Sequence, residues 1–217
     1  MTVLTAFAEV GVVPVVELTD PGQAAPLLDA LTGGGCAIAE ITLRTDAGLE
    51  AIRTLRRSHP DALIGAGTVL TLDAAAQVVE AGARFVVSPA TNPELIAFCR
   101  SAGVPVFPGA ATPTEVDAAV RAGADAVKFF PAEAMGGIPV LKAFAGPFRE
   151  VSFVPTGGIN ESNLADYLRV PNVLACGGTW LVAPTLLAEE RFDRIEALTR
   201  EAVEIAARAR AGAGAAA

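Results

Sequence analysis

A chain of 217 residues, 52% hydrophobic and 18% charged, carries enough apolar material for a buried globular core and is not the composition of a disordered protein. Sixteen basic against 24 acidic residues give a net charge of −8, which argues against binding nucleic acid through its phosphates. No apolar run reaches the ~18 residues of a membrane span, and the opening MTVLTAFAEV has no basic segment ahead of an apolar one, so a soluble, cytoplasmic protein is expected.

Along the chain, short β-branched apolar runs alternate with Ala-rich amphipathic stretches. The runs predict strands at Val12–Glu17, Ala37–Leu43, Leu63–Gly67, Arg84–Ser88, Val104–Phe107, Ala126–Phe129, Ser152–Pro155 and Val173–Cys176. Between them the spacing predicts helices, among them Ala47–Ser58, Leu72–Ala81, Asn92–Ala102 and Thr114–Ala122. Eight strands each followed by a helix, in ~200 residues, predict an α/β fold of the (β/α)8 TIM-barrel type. One domain is expected over residues 1–210, with 211–217 a frayed, low-complexity Ala/Gly tail. The alternative is an open doubly wound sheet, which calls for a dinucleotide fingerprint. Gly65-Ala66-Gly67-Thr68-Val69 begins like one but has Leu70 where the third glycine belongs.

An internal echo favours the barrel. Glu80-Ala81-Gly82-Ala83 and Arg121-Ala122-Gly123-Ala124 end a helix on glycine and lead into a strand, and Gly35-Cys36-Ala37 does the same upstream. Five residues on from Gly35 stands Glu40; five on from Gly123 stands Lys128. The two therefore occupy equivalent places on their strands, toward the C-terminal rim where barrel chemistry is carried out.

Rare residues narrow that chemistry. The single histidine, His59, precedes Pro60 at the end of a helical pattern and reads as a surface loop residue. Cys36, Cys99 and Cys176 are far apart and set among apolar neighbours, so they read as small buried hydrophobes in a reducing compartment, a disulfide being the lesser alternative. No ligand set for an ordinary zinc site is present, and a metal-independent reaction is expected. Of the 16 basic residues only Lys128 and Lys142 are lysines. Lys142 lies in a helical stretch and reads as solvated. Lys128 lies in the apolar run ADAVKFFP, where a charge is costly unless paired or neutralised.

Strand alternation puts Glu40, Thr42 and Arg44 on one face, and Lys128 in phase with Ala126 and Phe130. If these faces point inward with Thr68, then a lysine, a glutamate, an arginine and a threonine meet at one mouth. A buried Lys–Glu pair alone is as readily structural as functional; Arg44 and Thr68 favour a site. Apolar surroundings disfavour the ammonium and so supply a free amine, which attacks a carbonyl to form an iminium, an electron sink for C–C cleavage. Glu40 is the candidate proton shuttle, and Arg44 and Thr68 suit a carboxylate. The pairs Gly157-Gly158 and Gly177-Gly178 follow the seventh and eighth predicted strands, where barrels commonly hold phosphate on backbone N–H groups. Trp180 and Met135 read as packing residues.

The segments Val12-Val13-Pro14-Val15-Val16, Glu40-Ile41-Thr42-Leu43-Arg44-Thr45, Gly65-Ala66-Gly67-Thr68-Val69-Leu70, Val127-Lys128-Phe129-Phe130-Pro131-Ala132-Glu133, Pro155-Thr156-Gly157-Gly158-Ile159 and Gly177-Gly178-Thr179-Trp180-Leu181 resemble, in order, the 2-keto-3-deoxy-6-phosphogluconate (KDPG) aldolase family. The resemblance covers about Val12 to Ala206. It implies a class I aldolase on a β/α barrel, a homotrimer without cofactor, that yields pyruvate and glyceraldehyde 3-phosphate. It implies Lys128 as the Schiff-base lysine and Glu40 as acid/base. Arg44 and Thr68 would hold the carboxylate, with Pro89 and Phe130 against the substrate. Thr156, Gly157, Gly158, Gly178 and Thr179 would take the hydroxyl and phosphate end. Two positions depart from the family pattern: Thr179, where many relatives have Ser, and Glu17, where some carry a basic or neutral residue. The same chemistry on the galactonate epimer or on 4-hydroxy-2-oxoglutarate is the close alternative. A non-catalytic sugar-phosphate-binding barrel is the distant one, and it would not require Lys128 and Glu40 together. An epimerase working through carboxylates would leave the buried lysine unexplained.

Overall fold

Runs of β-branched and small residues at 12–16, 38–42 and 63–67 form the long strands β1 (Val12–Val16), β2 (Ile38–Thr42) and β3 (Leu63–Gly67) of a computed structural model that describes residues 2–214. Every residue of these strands is buried, as in a parallel sheet covered on both faces. The later strands are short: β4 (Val86–Val87), β5 (Val106–Phe107), β6 (Gly109–Ala110), β7 (Lys128–Phe129) and β8 (Cys176–Gly178). Six of the eight strands form one curled parallel sheet in the order β5-β4-β3-β2-β1-β8, and β6 pairs with β7.

Two differences from the expected strands have local causes. Pro108 has no N–H to donate and stands between β5 and β6. In the seventh predicted strand Pro155 interrupts the ladder in the same way, and only Phe153 forms bridges, parallel ones to Val127 and Val173. Backbone bonds nonetheless run on both sides of this segment: Val154 N–H donates to Val127 O at 2.8 Å, and Leu174 N–H to Phe153 O at 2.8 Å. The eighth strand lies further along than expected, because Cys176, Gly177 and Gly178, not residues 173–175, register with Val12, Val13 and Pro14.

The helices α2 (Ala24–Gly33), α3 (Ala47–Ser58), α4 (Leu72–Glu80), α5 (Pro93–Ser101), α6 (Pro113–Ala122), α7 (Gly137–Phe144) and α8 (Leu164–Leu168) lie between strands, and α9 (Pro184–Ala188) and α10 (Phe192–Gly214) follow them. Start signals are explicit: Thr112 and Glu115 form a reciprocal capping box ahead of α6. Gly35, Gly82 and Gly123 share φ values of 91°, 91° and 90°, the left-handed turn behind the internal echo. The stretch expected as a frayed tail begins inside α10; residues 215–217 lie outside the described residues.

A further helix, α1 (Val3–Val10), precedes β1, capped by the Thr2 side chain and closed by Gly11 at φ 78°. Its Phe7 ring sits 5.1 Å edge-on from Phe85 and 5.1 Å stacked on Phe107. With Val13, Ile38, Leu63, Val87, Ala126, Val154 and Ala175 these rings make an apolar cluster inside the sheet's curl, separate from the larger sheet–helix core. Following the alternation two residues further leads from Ile38 to Glu40 within β2 and from Ala126 to Lys128 at the start of β7. The interior is thus apolar toward the N-terminal strand ends and polar toward the C-terminal ones.

Candidate active site

Lys128 opens β7, in register with Gly109 of β6, and is buried. Its Nζ donates to Glu40 Oε1 at 3.2 Å, with side-chain exposures of only 7% and 4%, although 88 residues separate the two. The Phe130 ring centroid is 5.4 Å from Nζ, within cation–π range. Glu40 stands mid-strand, in register with Val15 and Gly65. Glycine is required beside it: a Cβ on Gly67 would come within 2.3 Å of Glu40 Oε1, and one on Gly65 within 2.2 Å of the Phe85 ring. The glycines that began like a nucleotide fingerprint therefore make interior room for a carboxylate and a phenyl ring.

Of the residues expected at the site, Arg44, Lys128, Phe130, Thr156, Gly157, Gly158, Gly178 and Thr179 line one cleft with Val15, Ile159 and Gly177. Glu40 lies buried beside Lys128. The cavity is small, about 80 Å³, against the ~300–1,000 Å³ of sites for drug-sized ligands. Arg44 Nη1 pairs with Glu17 Oε2 at 3.3 Å, both side chains nearly half exposed at 46% and 42%. Such a pair contributes ~0–1 kcal/mol, so the Arg44 guanidinium can leave Glu17 at little cost. Thr42, in phase with Glu40 and Arg44, instead gives its hydroxyl to Val16 O at 2.9 Å.

Thr68 and Pro89 stand outside the lining of that cleft, at the ends of β3 and β4. Thr68 follows Gly67 and holds φ 59°, a left-handed backbone that costs a β-branched residue ~1–3 kcal/mol. Flanking bonds from Leu43 N–H to Gly67 O (2.9 Å) and Val69 N–H to Val87 O (3.2 Å) impose that conformation. Pro89 sets its carbonyl against Gly109, where a Cβ would be 2.1 Å away.

The glycine loop after Thr156 has its carbonyls occupied from behind. Thr156 O accepts from Ala132 N–H at 2.8 Å and Gly157 O from Glu133 N–H at 3.1 Å. Gly158 O accepts from the Asn163 side chain at 3.0 Å. Because N–H and C=O of a trans peptide point opposite ways, the N–H groups of Gly157, Gly158 and Ile159 face forward. Among the described residues the N–H groups of Gly158, Ile159 and Thr179 donate to no protein acceptor, whereas Gly157 lies in the bridge that joins Thr156 to Gly177. Successive free amides of this kind form an anion-binding concavity. Gly157 and Gly158 hold φ 101° and 82°, which glycine alone adopts freely. Gly177 leaves room for Thr156 Oγ1, and Gly178 lies under the Trp180 ring.

The other singled-out residues lie elsewhere. His59 caps the end of α3 and reaches Asp29 Oδ1 at 3.1 Å. Lys142 is exposed on α7. Cys36, Cys99 and Cys176 are free thiols in the interior. Burial pushes Cys36 up to about 12 and, helped by Asp125, Cys99 up to about 11, so they are protonated at neutral pH. Among the described residues no three His, Cys, Asp or Glu side chains are grouped to hold a metal ion, and no helix is long and apolar enough to cross a membrane. A larger cavity of about 480 Å³, between Leu168, Asn172 and Arg210, contains none of the expected site residues.

The chain matches the family model for KDPG and KHG aldolase over residues 3–198. It is 46% identical to the 2-dehydro-3-deoxy-phosphogluconate aldolase of Treponema pallidum, over 94% of this chain and 98% of that protein. It is 44% identical to the KHG/KDPG aldolase of Escherichia coli, over 89% and 91% respectively. Among solved structures, a KDPG aldolase from Legionella pneumophila with pyruvate captured as a covalent carbinolamine superposes with a TM-score of 0.88, at 41% identity over 91% of this chain and 96% of that one. A buried lysine–glutamate pair beside a cradle of free amides, on a chain that matches these enzymes over nearly its whole length, places the protein in the KDPG and KHG aldolase family of lyases.

Proposed function

We propose that this protein is a class I aldolase that cleaves 2-dehydro-3-deoxy-6-phosphogluconate to pyruvate and glyceraldehyde 3-phosphate. The observation that carries the reading is the buried contact of Lys128 Nζ with Glu40 Oε1 at the C-terminal end of the strands. Lys128, as the free amine, adds to the C2 carbonyl to give a carbinolamine. Loss of water leaves an iminium. Glu40 removes the proton of the C4 hydroxyl; the C3–C4 electron pair moves into the iminium, releasing the aldehyde and leaving an enamine. Protonation of the enamine at C3 and hydrolysis then free pyruvate and restore Lys128. Glu40 serves each proton transfer because its carboxylate already touches the nitrogen.

Around that pair, Arg44 and Thr68 hold the carboxylate, Pro89 and Phe130 flank the chain of the substrate, and Thr156 takes a hydroxyl. The phosphate rests on Gly157, Gly158, Gly178 and Thr179. Covalent pyruvate in the Legionella structure supports this assignment. The reaction needs no metal, since the iminium is its own electron sink. The six-stranded sheet, the β6–β7 pair and the bridges through Phe153 together support a closed (β/α)8 barrel. We read residues 1–210 as its single domain, working as a cytoplasmic homotrimer. The name of the Escherichia coli relative supports 4-hydroxy-2-oxoglutarate as a second substrate, and the galactonate epimer is the other close variant. Borohydride reduction with pyruvate tests the chemistry: the adduct is expected on Lys128. Mass spectrometry finding it on Lys142, or finding none, would refute the Schiff base.

A further inference from the structure

We propose that Glu133, held by the hydroxyl of Tyr167, is a positioning residue for the glycine loop that receives the substrate's phosphate. The inference rests on the phosphate reading above and concerns residues that do not touch the cleft. Two contacts fasten Glu133 to the back of the loop, its neighbours add a third, and Tyr167 holds its carboxylate from the other side. Its N–H donates to Gly157 O at 3.1 Å. Its side chain packs on Gly158 so closely that a Cβ there would be 2.4 Å from Glu133 Cγ. The residues just ahead of it, Pro131 and Ala132, pack on Gly157, where a Cβ would stand 3.3 and 3.4 Å from them. Its carboxylate accepts a hydrogen bond from Tyr167 Oη.

Tyr167 is fully buried on α8, so its hydroxyl is committed to the partner it has. Burial, and then the neighbouring Glu133 carboxylate, push that hydroxyl well above the ordinary tyrosine range, so it remains a donor throughout any assay pH. Space for the contact is made by Gly137, at φ 57°: a Cβ there would be 2.8 Å from Tyr167 Oη and 3.0 Å from Glu133 Oε1. The chain of contacts thus runs from the core of α8 through Glu133 to the two peptides whose carbonyls face backward and whose amides face the cleft. Removing either partner frees the wall behind Gly157 and Gly158 while Lys128, Glu40 and Arg44 keep their own supports.

The test compares wild type with Tyr167→Phe, Glu133→Ala, Glu133→Gln and the double variant Tyr167→Phe/Glu133→Ala. Aldol addition of pyruvate is followed with glyceraldehyde 3-phosphate and with unphosphorylated glyceraldehyde, alongside deuterium exchange into pyruvate alone. Tyr167→Phe and Glu133→Ala are each expected to raise KM for the phosphorylated aldehyde about tenfold. Pyruvate exchange, and turnover of glyceraldehyde, are expected to stay within about twofold. Glu133→Gln, which still accepts from Tyr167, should return KM to within about threefold of wild type, and the double variant should be no worse than the worse single one. Two outcomes would overturn the proposal alone: a wild-type preference for the phosphorylated aldehyde that the variants retain, or variants losing all three reactions in equal proportion. A wild type that does not distinguish the two aldehydes would overturn the phosphate reading and this proposal with it.

Discussion

Replacing Glu40 with glutamine separates a proton carrier from a counter-ion. The side chain is buried, 3.2 Å from Lys128 Nζ, and the glutamine oxygen can occupy the same place and accept the same bond. What disappears is the charge and the ability to carry a proton. Removing one partner of a buried ion pair costs ~3–5 kcal/mol, and the retained hydrogen bond keeps this substitution near the lower figure. For a chain of this length ~3 kcal/mol corresponds to a fall in Tm of ~6–12 °C, so the variant remains folded at room temperature. If Glu40 shuttles protons, exchange at the methyl of bound pyruvate and aldol cleavage both fall ~10²–10⁴-fold, the scale of general acid–base catalysis. Some iminium should still form and be trapped by borohydride. Deuterium exchange into pyruvate, read beside a thermal melt, decides the matter. A folded Glu40→Gln protein that exchanges deuterium at the wild-type rate would show the glutamate to be structural.

Three further outcomes are expected. Gly67→Ala drives a methyl to within 2.3 Å of Glu40 Oε1, and the strand bond from Leu43 N–H to Gly67 O holds the backbone still; the carboxylate must shift, and steady-state kinetics on a protein with unchanged circular dichroism should show kcat/KM down ~10²-fold. Between pH 9 and 11 the unfolded chain releases thiol protons that native Cys36 and Cys99 keep, so stability falls with rising pH by ~1.4 kcal/mol per unit for each fully shifted thiol; melts of a Cys36→Ala protein over that range should show a shallower slope. EDTA should leave aldol cleavage unchanged; activity lost to the chelator and restored by a divalent ion would contradict an iminium-only mechanism.

Much of the candidate site is legible in the sequence because its signals are local. Lys128 stands out as a lysine inside an apolar run, and Glu40 as the residue at the same five-step distance from a helix-ending glycine. Strands β1, β2 and β3 follow from runs rich in small and β-branched residues. Helix α1 was not anticipated, though its signals were there: a Thr2 cap and a closing Gly11 around a short apolar run. Val15 and Ile159 join the cleft without a sequence signal, because an aliphatic side chain carries no chemistry to mark it, whereas Gly177 belongs to a glycine pair that the sequence already points to.

Contacts between distant parts of the chain were another matter. Thr42 was in phase with Glu40 and Arg44, yet its hydroxyl is taken by Val16 O, an acceptor no pattern along the chain identifies. Arg44 meets Glu17 across 27 residues, and Tyr167 meets Glu133 across 34. Residue types, their alternation and the turn chemistry of glycine and proline determine which elements form and which faces can be buried, because those are nearest-neighbour properties of the backbone. Which buried groups touch is decided by the curl of the sheet and by the volumes glycine leaves open at 65, 67 and 177. Only the folded chain, where side chains far apart in sequence compete for one close-packed interior, sets the 3.2 Å between a lysine and a glutamate.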